Sequence, residues 1–334
     1  MDGGAMRILW LTNYRPVGTI DYYGPLMEAV GRRTEVTVVR RHYEETEGDW
    51  CRQVMLSKRP CVPILDINQA NGCDVVVCDA MYSYMTEPWE RITRPLKAVF
   101  LGDMHGQMVQ EYAGAAWARF GFRLFLPIYR EGMRRYHPDI WASSQVQIAW
   151  FPYWVDQAVY RDYELPRDVA CLTTGTSHPV VYALRDRIHR AMTGFDGYKC
   201  LPKPVEKPGS TEVWPLGEAY ARELGRARMA FACTSVYSYP VTKLYEICAC
   251  RTALACDWID EMGDLGWQPD VNMVPLSLND LDLRGTVEKW LARPDRLQAI
   301  ADAGYQLVHE RYGVEQRAGE LLGVLEKALE GSVT

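Results

Sequence analysis

The segment 229–257 constrains the fold most strongly, because it reads as a strand, a helix and a second strand. The runs MAFACTS (229–235) and TALAC (252–256) are apolar and of strand length. Between them, apolar residues recur at helical spacing, and Pro240 suits a helix start because its missing N–H has no helical partner there. Strand–helix–strand units of this kind build parallel sheets.

The helix of this unit carries a cation and a carboxylate near its beginning. Lys243 and Glu246 are three residues apart and therefore project from one side of the helix. At the N-terminus of a helix that follows a strand, a cation suits phosphate and a carboxylate suits ribose hydroxyls. The pair predicts a nucleotide site, and an ordinary ion pair on the helix surface is the alternative.

Short apolar strands alternate with amphipathic helices along both halves of the chain, which predicts two parallel sheets whose facing edges form a ligand cleft. Strands are predicted at 7–12, 35–40, 74–79, 96–102, 139–144, 148–153, 169–176, 198–202, 229–235, 252–256 and 271–277. A long helix is predicted from Gln107 to Arg135, and three helices end the chain, from about residues 280, 294 and 313.

Composition is that of a globular protein with two domains: 334 residues, 48% hydrophobic and 24% charged. No apolar run is long enough for a transmembrane helix, and no secretory signal is recognised. The ten cysteines form no C-x-x-C pair and predict core residues in a reducing cytoplasm, with no zinc site. The net charge of −6 argues against stable nucleic-acid binding.

The run P-x-x-K-L-x-E-x-x-A-C (240–250), followed by a small apolar strand and an acidic residue, resembles the donor-binding motif of group-1 glycosyltransferases. The resemblance implies the GT-B fold, an α/β architecture of two Rossmann-like domains facing a cleft. It implies that Glu246 holds the donor ribose and that Lys243 serves the diphosphate. The co-substrate is then a nucleoside-diphosphate-sugar, with no separate cofactor and no bound metal.

Two positions depart from the family pattern. Retaining members carry an earlier glutamate eight positions before the second, where this chain has Ser238. The glycine that follows Ala-Cys in the family is Arg251. Retention of the anomeric configuration therefore stays open, and the chain is expected to be a distant member.

The resemblance also implies the domain organisation. Residues 1–152 are expected to form the acceptor-side domain, and 153–168, which resemble the family's P-x-x-V-D-x-x-x-Y crossing, the linker. Residues 169–312 are expected to form the donor domain. The final helix, 313–334, is expected to pack back on the first domain.

Four loops that follow predicted strands supply further candidate residues. In TTGTSHP (173–179), Gly175 and Thr176 suit an anion, and Arg185 follows where the family's loop arginine is missing; a simple strand-to-helix turn is the alternative.

In the loop before the motif helix, Ser238 and Tyr239, next to Pro240, suit a phosphate or the sugar. Helix capping by Ser238 is the alternative reading of this loop. In the first loop of the chain, Gly18 would let the backbone approach the diphosphate.

GDMHGQ (102–107) places Asp103 and His105 after a strand of the first half. In an inverting enzyme either side chain is a natural base for the acceptor hydroxyl, and in a retaining enzyme His105 would orient the sugar. A loop histidine bonded only to local backbone is the alternative.

The sequence leaves the acceptor open among a glycan, a lipid, a natural product and a modified nucleobase. The arginine- and aromatic-rich stretch 117–137 suits a peripheral membrane contact or, alternatively, a solvated helix face. A non-catalytic nucleotide-sugar binding protein and a GT-B-type epimerase or phosphorylase remain alternatives. A two-domain dehydrogenase is disfavoured because G-x-G-x-x-G is missing after the first strand of either half.

Overall fold

The chain forms two compact units in the computed structural model. The first unit comprises Met1–Pro152 and Arg317–Thr334, and the second comprises Tyr153–Gln316. The structure describes residues 5–13, 23–41, 64–79, 87–175, 178–201 and 216–331.

The first unit is built on a six-stranded sheet in which every described pair is parallel. Its strands are β1 (Arg7–Asn13), β2 (Glu35–Arg41), β3 (Val75–Cys78), β4 (Leu96–Leu101), β5 (Leu124–Pro127) and β6 (Gln147–Ile148). Their order across the sheet is β2-β1-β3-β4-β5-β6. The central strands β3, β4 and β5 are buried along their whole length, as expected for parallel strands covered on both faces.

Five described helices accompany this sheet, and they correct one prediction. They are α1 (Tyr23–Gly31), α2 (Ile67–Asn71), α3 (Gln107–Ala118), α4 (Arg130–Tyr136) and α5 (Pro138–Trp141). The predicted long helix from Gln107 to Arg135 is wrong. Gly121 has a left-handed φ of +69°, and the buried run LFLP then forms β5.

The strands predicted at 139–144 and 148–153 are also largely wrong. Pro138 lies at the first helical position of the short helix α5, where its missing N–H is tolerated. Only Gln147 and Ile148 pair with the sheet. Apolar runs of this length cannot be distinguished as strand, helix or loop by periodicity alone.

A buried lysine ties the edge of β4 to neighbouring turns. The Lys97 side chain donates to the carbonyls of Trp89, 3.1 Å away, and Ile92, 2.8 Å away, and also to the carbonyl of Phe120. Burial lowers the pKa of Lys97 to about 8, because the charged amine is partly desolvated.

The second unit contains a five-stranded parallel sheet. Its strands are β7 (Val169–Thr174), β8 (Tyr198–Leu201), β9 (Ala227–Phe231), β10 (Ala253–Cys256) and β11 (Val274–Pro275). Their order is β11-β10-β9-β7-β8. Because the chain order changes direction between β7 and β9, the carboxyl ends of these two strands mark the place where parallel sheets bind ligands.

Six helices among the described residues of the second unit surround this sheet. They are α6 (Ala183–Met192), α7 (Glu218–Arg226), α8 (Thr242–Ala249), α9 (Asp260–Asp264), α10 (Leu283–Leu291) and α11 (Pro294–Arg311). One core cluster joins β7, β9 and β10 to α6, α10 and α11 through fully buried side chains such as Ile188, Phe231 and Ile300. The strand–helix–strand unit predicted from the sequence is confirmed as β9, α8 and β10.

The last helix, α12 (Val314–Glu330), contributes its residues from Arg317 onward to the first unit. Arg317 is buried there, with its guanidinium 3.9 Å from the centre of the Phe151 ring. The same guanidinium donates to the Pro152 carbonyl at 3.2 Å. A cation stacked on an aromatic ring and bonded to a carbonyl anchors this end of the chain to the first unit.

Candidate functional site in the second unit

A glycine turn follows β7 at the switch point of the sheet. Gly175 has a φ of +87°, a backbone conformation that glycine adopts without the clash of a Cβ atom. Its N–H donates to the Leu201 carbonyl at 3.2 Å. Thr173 and Thr174, which precede it, are buried. The buried end of β7 therefore fixes the direction in which this turn begins.

Two cationic side chains from different helices approach this glycine. A methyl group built on Gly175 would lie 2.9 Å from Cε of Lys243 and 3.2 Å from Nη1 of Arg185. The Lys243 amine itself would be 3.5 Å away. Lys243 belongs to the first turn of α8, and Arg185 to α6. The fold thus brings together three residues that the sequence placed in separate segments.

Arg185 is held in place by its own helix. Its side chain is buried, and its guanidinium lies 4.4 Å from the centre of the Tyr182 ring. Stacking on an aromatic face restricts the guanidinium and leaves its edge for hydrogen bonding. This arginine reaches the glycine turn from α6, whereas the family resemblance placed an arginine in the turn itself.

The N-terminus of α8 begins beside the same turn. Its capping position is Val241, and among the described residues no side chain caps the helix. Capping by Ser238 is therefore wrong as an alternative, and Pro240 lies two residues before the first helical residue. Ser238 instead adopts a left-handed φ of +56°. Polar N–H groups and the positive end of the helix dipole at such a start suit an anion.

The loop that leads into α8 is pinned by Asp257 at the end of β10. Its carboxylate accepts from the Thr234 N–H at 2.9 Å and from the Thr234 hydroxyl at 2.6 Å. The Tyr239 N–H then donates to the Thr234 carbonyl at 2.8 Å, and the Tyr239 side chain is buried. Tyr239 therefore supports the loop from within.

Glu246 lies one turn after Lys243 on α8 and is only 2% exposed. This burial contradicts an ordinary ion pair on the helix surface. A carboxylate is seldom buried unless neighbouring groups or a ligand compensate its desolvation. Glu246 also acts on its surroundings, because its charge contributes to raising the pKa of the buried Tyr220.

Tyr220 and Thr174 belong to this cluster and are not predicted from the sequence. The Tyr220 hydroxyl lies 2.9 Å from the Thr174 hydroxyl, and both side chains are buried. Burial is the main cause that raises the pKa of Tyr220; Glu246 adds to it, and the hydroxyl of Thr174 and the charge of Arg185 oppose it. The sequence carries no distinct signal for Tyr220, which lies on the same buried helical stripe as Leu224 and resembles a core residue.

At its other end, α8 terminates in a Schellman motif in which Arg251 occupies the left-handed position. Arg251 has a φ of +55°. Its N–H donates to the Cys248 carbonyl at 2.9 Å, and the Thr252 N–H donates to the Ile247 carbonyl at 3.3 Å. Glycine is the usual residue at this position. The family glycine and this arginine therefore meet the same backbone requirement, at a greater strain for arginine.

Side-chain contacts hold Arg251 in this conformation. Its guanidinium lies 2.6 Å from Asp302 and 3.3 Å from Asp162. Arg167 donates to the Arg251 carbonyl at 2.7 Å and to the Cys250 carbonyl at 3.3 Å. These contacts satisfy carbonyl groups at the end of α8 and fix the helix that carries Lys243 and Glu246.

Asp103 and His105 lie in the first unit, in the loop between β4 and α3. The Gly106 N–H donates to the Asp103 carbonyl at 3.3 Å, and the Gln110 side chain donates to the His105 carbonyl at 3.3 Å. The Asp103 side chain reaches solvent, yet partial desolvation by the surrounding protein raises the pKa of its carboxyl, against the opposing effect of His105. A raised carboxyl pKa suits a proton acceptor near neutral pH.

Two predicted residues, Gly18 and Thr176, lie outside the described residues.

The arginines of the stretch 117–137 make local contacts. Arg119 pairs with Glu90 at 2.7 Å, and Arg134 pairs with Glu131 at 3.3 Å. The Arg130 guanidinium lies 4.5 Å from the centre of the Trp150 ring. Among the described helices, none is sufficiently long and apolar to cross a membrane. A peripheral membrane contact stays a prediction.

Comparison with known proteins finds a family match for most of the second unit. Residues 189–323 match the family model described as Glycosyl transferase-like. Lys243 and Glu246 fall inside the matched segment, and Gly175 and Arg185 precede it. No curated protein is significantly similar to the chain in sequence.

Solved structures share the architecture of the whole chain at low sequence identity. Anabaena HepE in complex with UDP and glucose is 10% identical with a TM-score of 0.61, covering 96% of this chain and 100% of its own. Sucrose-phosphate synthase from Thermosynechococcus elongatus is 13% identical with a TM-score of 0.65, covering 98% and 100%. A glycosyltransferase from Rickettsia africae is 9% identical with a TM-score of 0.58, covering 97% and 99%.

At such identities the structural likeness establishes the fold, which is α/β with two parallel sheets as in GT-B proteins. The predicted fold class is therefore confirmed. The family model adds a likeness to glycosyl transferases over residues 189–323, most of which belong to the second unit. The chain therefore resembles the group-1 glycosyltransferases in this segment and in its fold.

Proposed function

We propose that the chain transfers a sugar from a nucleoside-diphosphate-sugar to an acceptor hydroxyl, and that the donor binds at the second unit. The observation that carries the proposal is the approach of Lys243 and Arg185 to Gly175 beside the start of α8. Two cations, a glycine turn and a helix N-terminus are the groups that a diphosphate requires. HepE, which shares the fold, was solved with UDP and with UDP-glucose, and this supports a uridine nucleotide as the first donor to test.

Glu246 is assigned to the donor ribose. Glu246 lies one helical turn after Lys243. When the diphosphate of a nucleotide contacts the lysine, the ribose hydroxyls can therefore reach the glutamate. A buried carboxylate that accepts hydrogen bonds from two hydroxyls recovers part of its lost hydration. Donor binding therefore compensates the burial of Glu246.

Catalysis follows from stabilisation of the departing diphosphate. As the glycosidic bond to the donor phosphate breaks, negative charge grows on the diphosphate oxygens. Lys243, Arg185 and the N–H groups at the start of α8 are already placed to receive that charge. These cations take the role that a divalent metal plays elsewhere, and we propose that the reaction requires no metal.

The acceptor side is assigned to the first unit. We propose retention of the anomeric configuration, although Ser238 stands where retaining members carry a glutamate, with His105 orienting the transferred sugar. Inversion would instead require a base for the acceptor hydroxyl, and the raised pKa of Asp103 suits that role. The anomeric configuration of the product, read by NMR, separates the two mechanisms.

The donor assignment is tested by release of nucleoside diphosphate from UDP-, GDP- and TDP-sugars, with and without EDTA. We expect Glu246→Gln to weaken donor binding about tenfold to a hundredfold, since hydrogen bonds to charged groups contribute about 1.5–3 kcal/mol. We expect Lys243→Met to lower kcat by a factor of about 10² to 10³, as loss of one group that stabilises transition-state charge does. Addition of EDTA should leave the rate of nucleoside diphosphate release unchanged.

Lys289→Met is the matched control, because Lys289 is an exposed lysine in the last turn of α10. It removes the same charge from the same unit and should behave as wild type. Wild-type kinetics in both site variants would contradict the site. No binding or turnover of any nucleotide-sugar by the wild-type protein would contradict the function itself.

A further inference from the structure

We propose that Tyr220 is a positioning residue of the donor site, whose hydroxyl, paired with Thr174, fixes the strand end that leads into Gly175. The inference rests on the function proposed above and adds a residue from α7 to it. Tyr220 touches neither diphosphate nor sugar in this assignment. It acts through the groups that do.

The hydroxyl pair lies directly before the glycine turn. Thr174 is the last residue of β7 and is fully buried, and its hydroxyl lies 2.9 Å from that of Tyr220. A displacement of Thr174 is passed to Gly175 through a single peptide bond. Because Lys243 and Arg185 approach Gly175 closely, the position of this turn sets the space that the two cations share.

Tyr220 is itself rigidly held. Its ring meets the Tyr160 ring edge-on, with centroids 6.3 Å apart and planes at 82°. Its helix, α7, packs against α8, which carries Lys243 and Glu246. The phenol therefore connects the strand that ends at the turn with the helix that presents the carboxylate. An aromatic ring fixed on two sides is a firm support for its hydroxyl.

Two charged groups of the site affect the pKa of this phenol. Burial is the main cause that raises the pKa of Tyr220; the charge of Glu246 adds to it and that of Arg185 opposes it. Because burial raises the pKa, the phenol keeps its proton near physiological pH and can donate it to a hydrogen bond. The hydroxyls of Tyr220 and Thr174 carry one proton each, and only one of these protons can form the hydrogen bond between the two oxygens. The other proton is oriented by the surrounding groups, among which Glu246 is the anion.

Three variants test the proposal, with UDP as the probe. Tyr220→Phe and Thr174→Val each remove one hydroxyl and leave the other buried without it, which lowers stability. The double variant removes both hydroxyls, so most of the lost stability should return. We expect UDP affinity to fall fivefold to tenfold in Tyr220→Phe and to remain reduced in the double variant, because stability is restored but the turn is no longer held.

The control is Tyr198→Phe, which breaks a half-buried hydroxyl contact in the same unit, 2.9 Å from a His189 ring nitrogen. It should lower the melting temperature and leave UDP affinity unchanged. Calorimetric titration gives the affinity, thermal unfolding gives the stability, and turnover of UDP-glucose should show a raised KM with kcat nearly unchanged.

Wild-type UDP affinity in Tyr220→Phe would overturn the inference. So would a double variant that regains affinity together with stability, since the pair would then be merely structural. A wild-type protein that binds no nucleoside diphosphate would instead overturn the proposed function, and this result is distinguishable from the other two.

Discussion

Replacing Gly175 by alanine tests whether the approach of two cations to this glycine governs anion binding. The new methyl group would lie 2.9 Å from Cε of Lys243 and 3.2 Å from Nη1 of Arg185. The first distance is about 0.6 Å shorter than the roughly 3.5 Å of a favourable contact between two carbon atoms. One side chain has to move, and the end of a flexible lysine moves more easily than the backbone.

The expected magnitudes separate folding from binding. A residue with a Cβ atom at a φ of +87° costs about 1–2 kcal/mol in stability relative to glycine. Displacing Lys243 removes a contact to the diphosphate that is worth about 1.5–3 kcal/mol. The protein should therefore fold with a slightly lower melting temperature, and its affinity for UDP should fall about tenfold to a hundredfold.

Gly194→Ala provides the matched control. Gly194 also has a left-handed φ, of +78°, but no described atom lies within 4 Å of a methyl group built on it. Both variants carry similar backbone strain, and only Gly175→Ala crowds the cations. The two variants should be about equally stable, and calorimetric titration should show a lower UDP affinity for Gly175→Ala than for Gly194→Ala. The reasoning is refuted if Gly175→Ala binds UDP as wild type does, or if both variants lose affinity equally.

Three further predictions concern stability, each measured by thermal unfolding. Arg251→Gly should be more stable than Arg251→Ala by about 1 kcal/mol, because both lose the ion pairs and only alanine keeps the left-handed strain; equal midpoints would contradict this. Burial lowers the pKa of His137 from 6.5 to about 4, so the unfolded state binds more protons between these values. As the pH falls through that window, the wild-type protein should lose stability. At pH 5 His137→Gln should have lost about 2 kcal/mol less than the wild type, and identical acid sensitivity of the two proteins would contradict this prediction. The pKa of Lys97, lowered from 10.5 to about 8, has its effect in the alkaline range. As the pH rises between these two values, the wild-type protein should gain up to about 3 kcal/mol of stability relative to Lys97→Met. A difference in stability that does not change with pH would refute this prediction.

The sheet strands of the second unit follow directly from their sequence. Apolar runs such as MAFACTS and TALAC are buried on both faces and have one natural reading. The structure of the region 107–135 does not follow from its sequence in this way. Its periodicity predicts one helix, and Gly121 interrupts that helix. A single left-handed residue changes the direction of the chain, and composition does not reveal it.

The candidate site was predictable where function and local pattern coincide. Lys243 and Glu246 share one helix, so their spacing alone places them together. Arg185 and Gly175 meet only through the packing of α6 beside β7, and the sequence gives their order but not their distance. Tyr220 was missed because a tyrosine within an amphipathic helix resembles an ordinary core residue.

The most direct test of the central claim is a crystal structure of the protein with UDP. The account predicts the diphosphate at the start of α8, with Lys243 Nζ and the Arg185 guanidinium about 3 Å from phosphate oxygens and Glu246 at the ribose hydroxyls. UDP bound elsewhere, or a diphosphate remote from both cations, would contradict it.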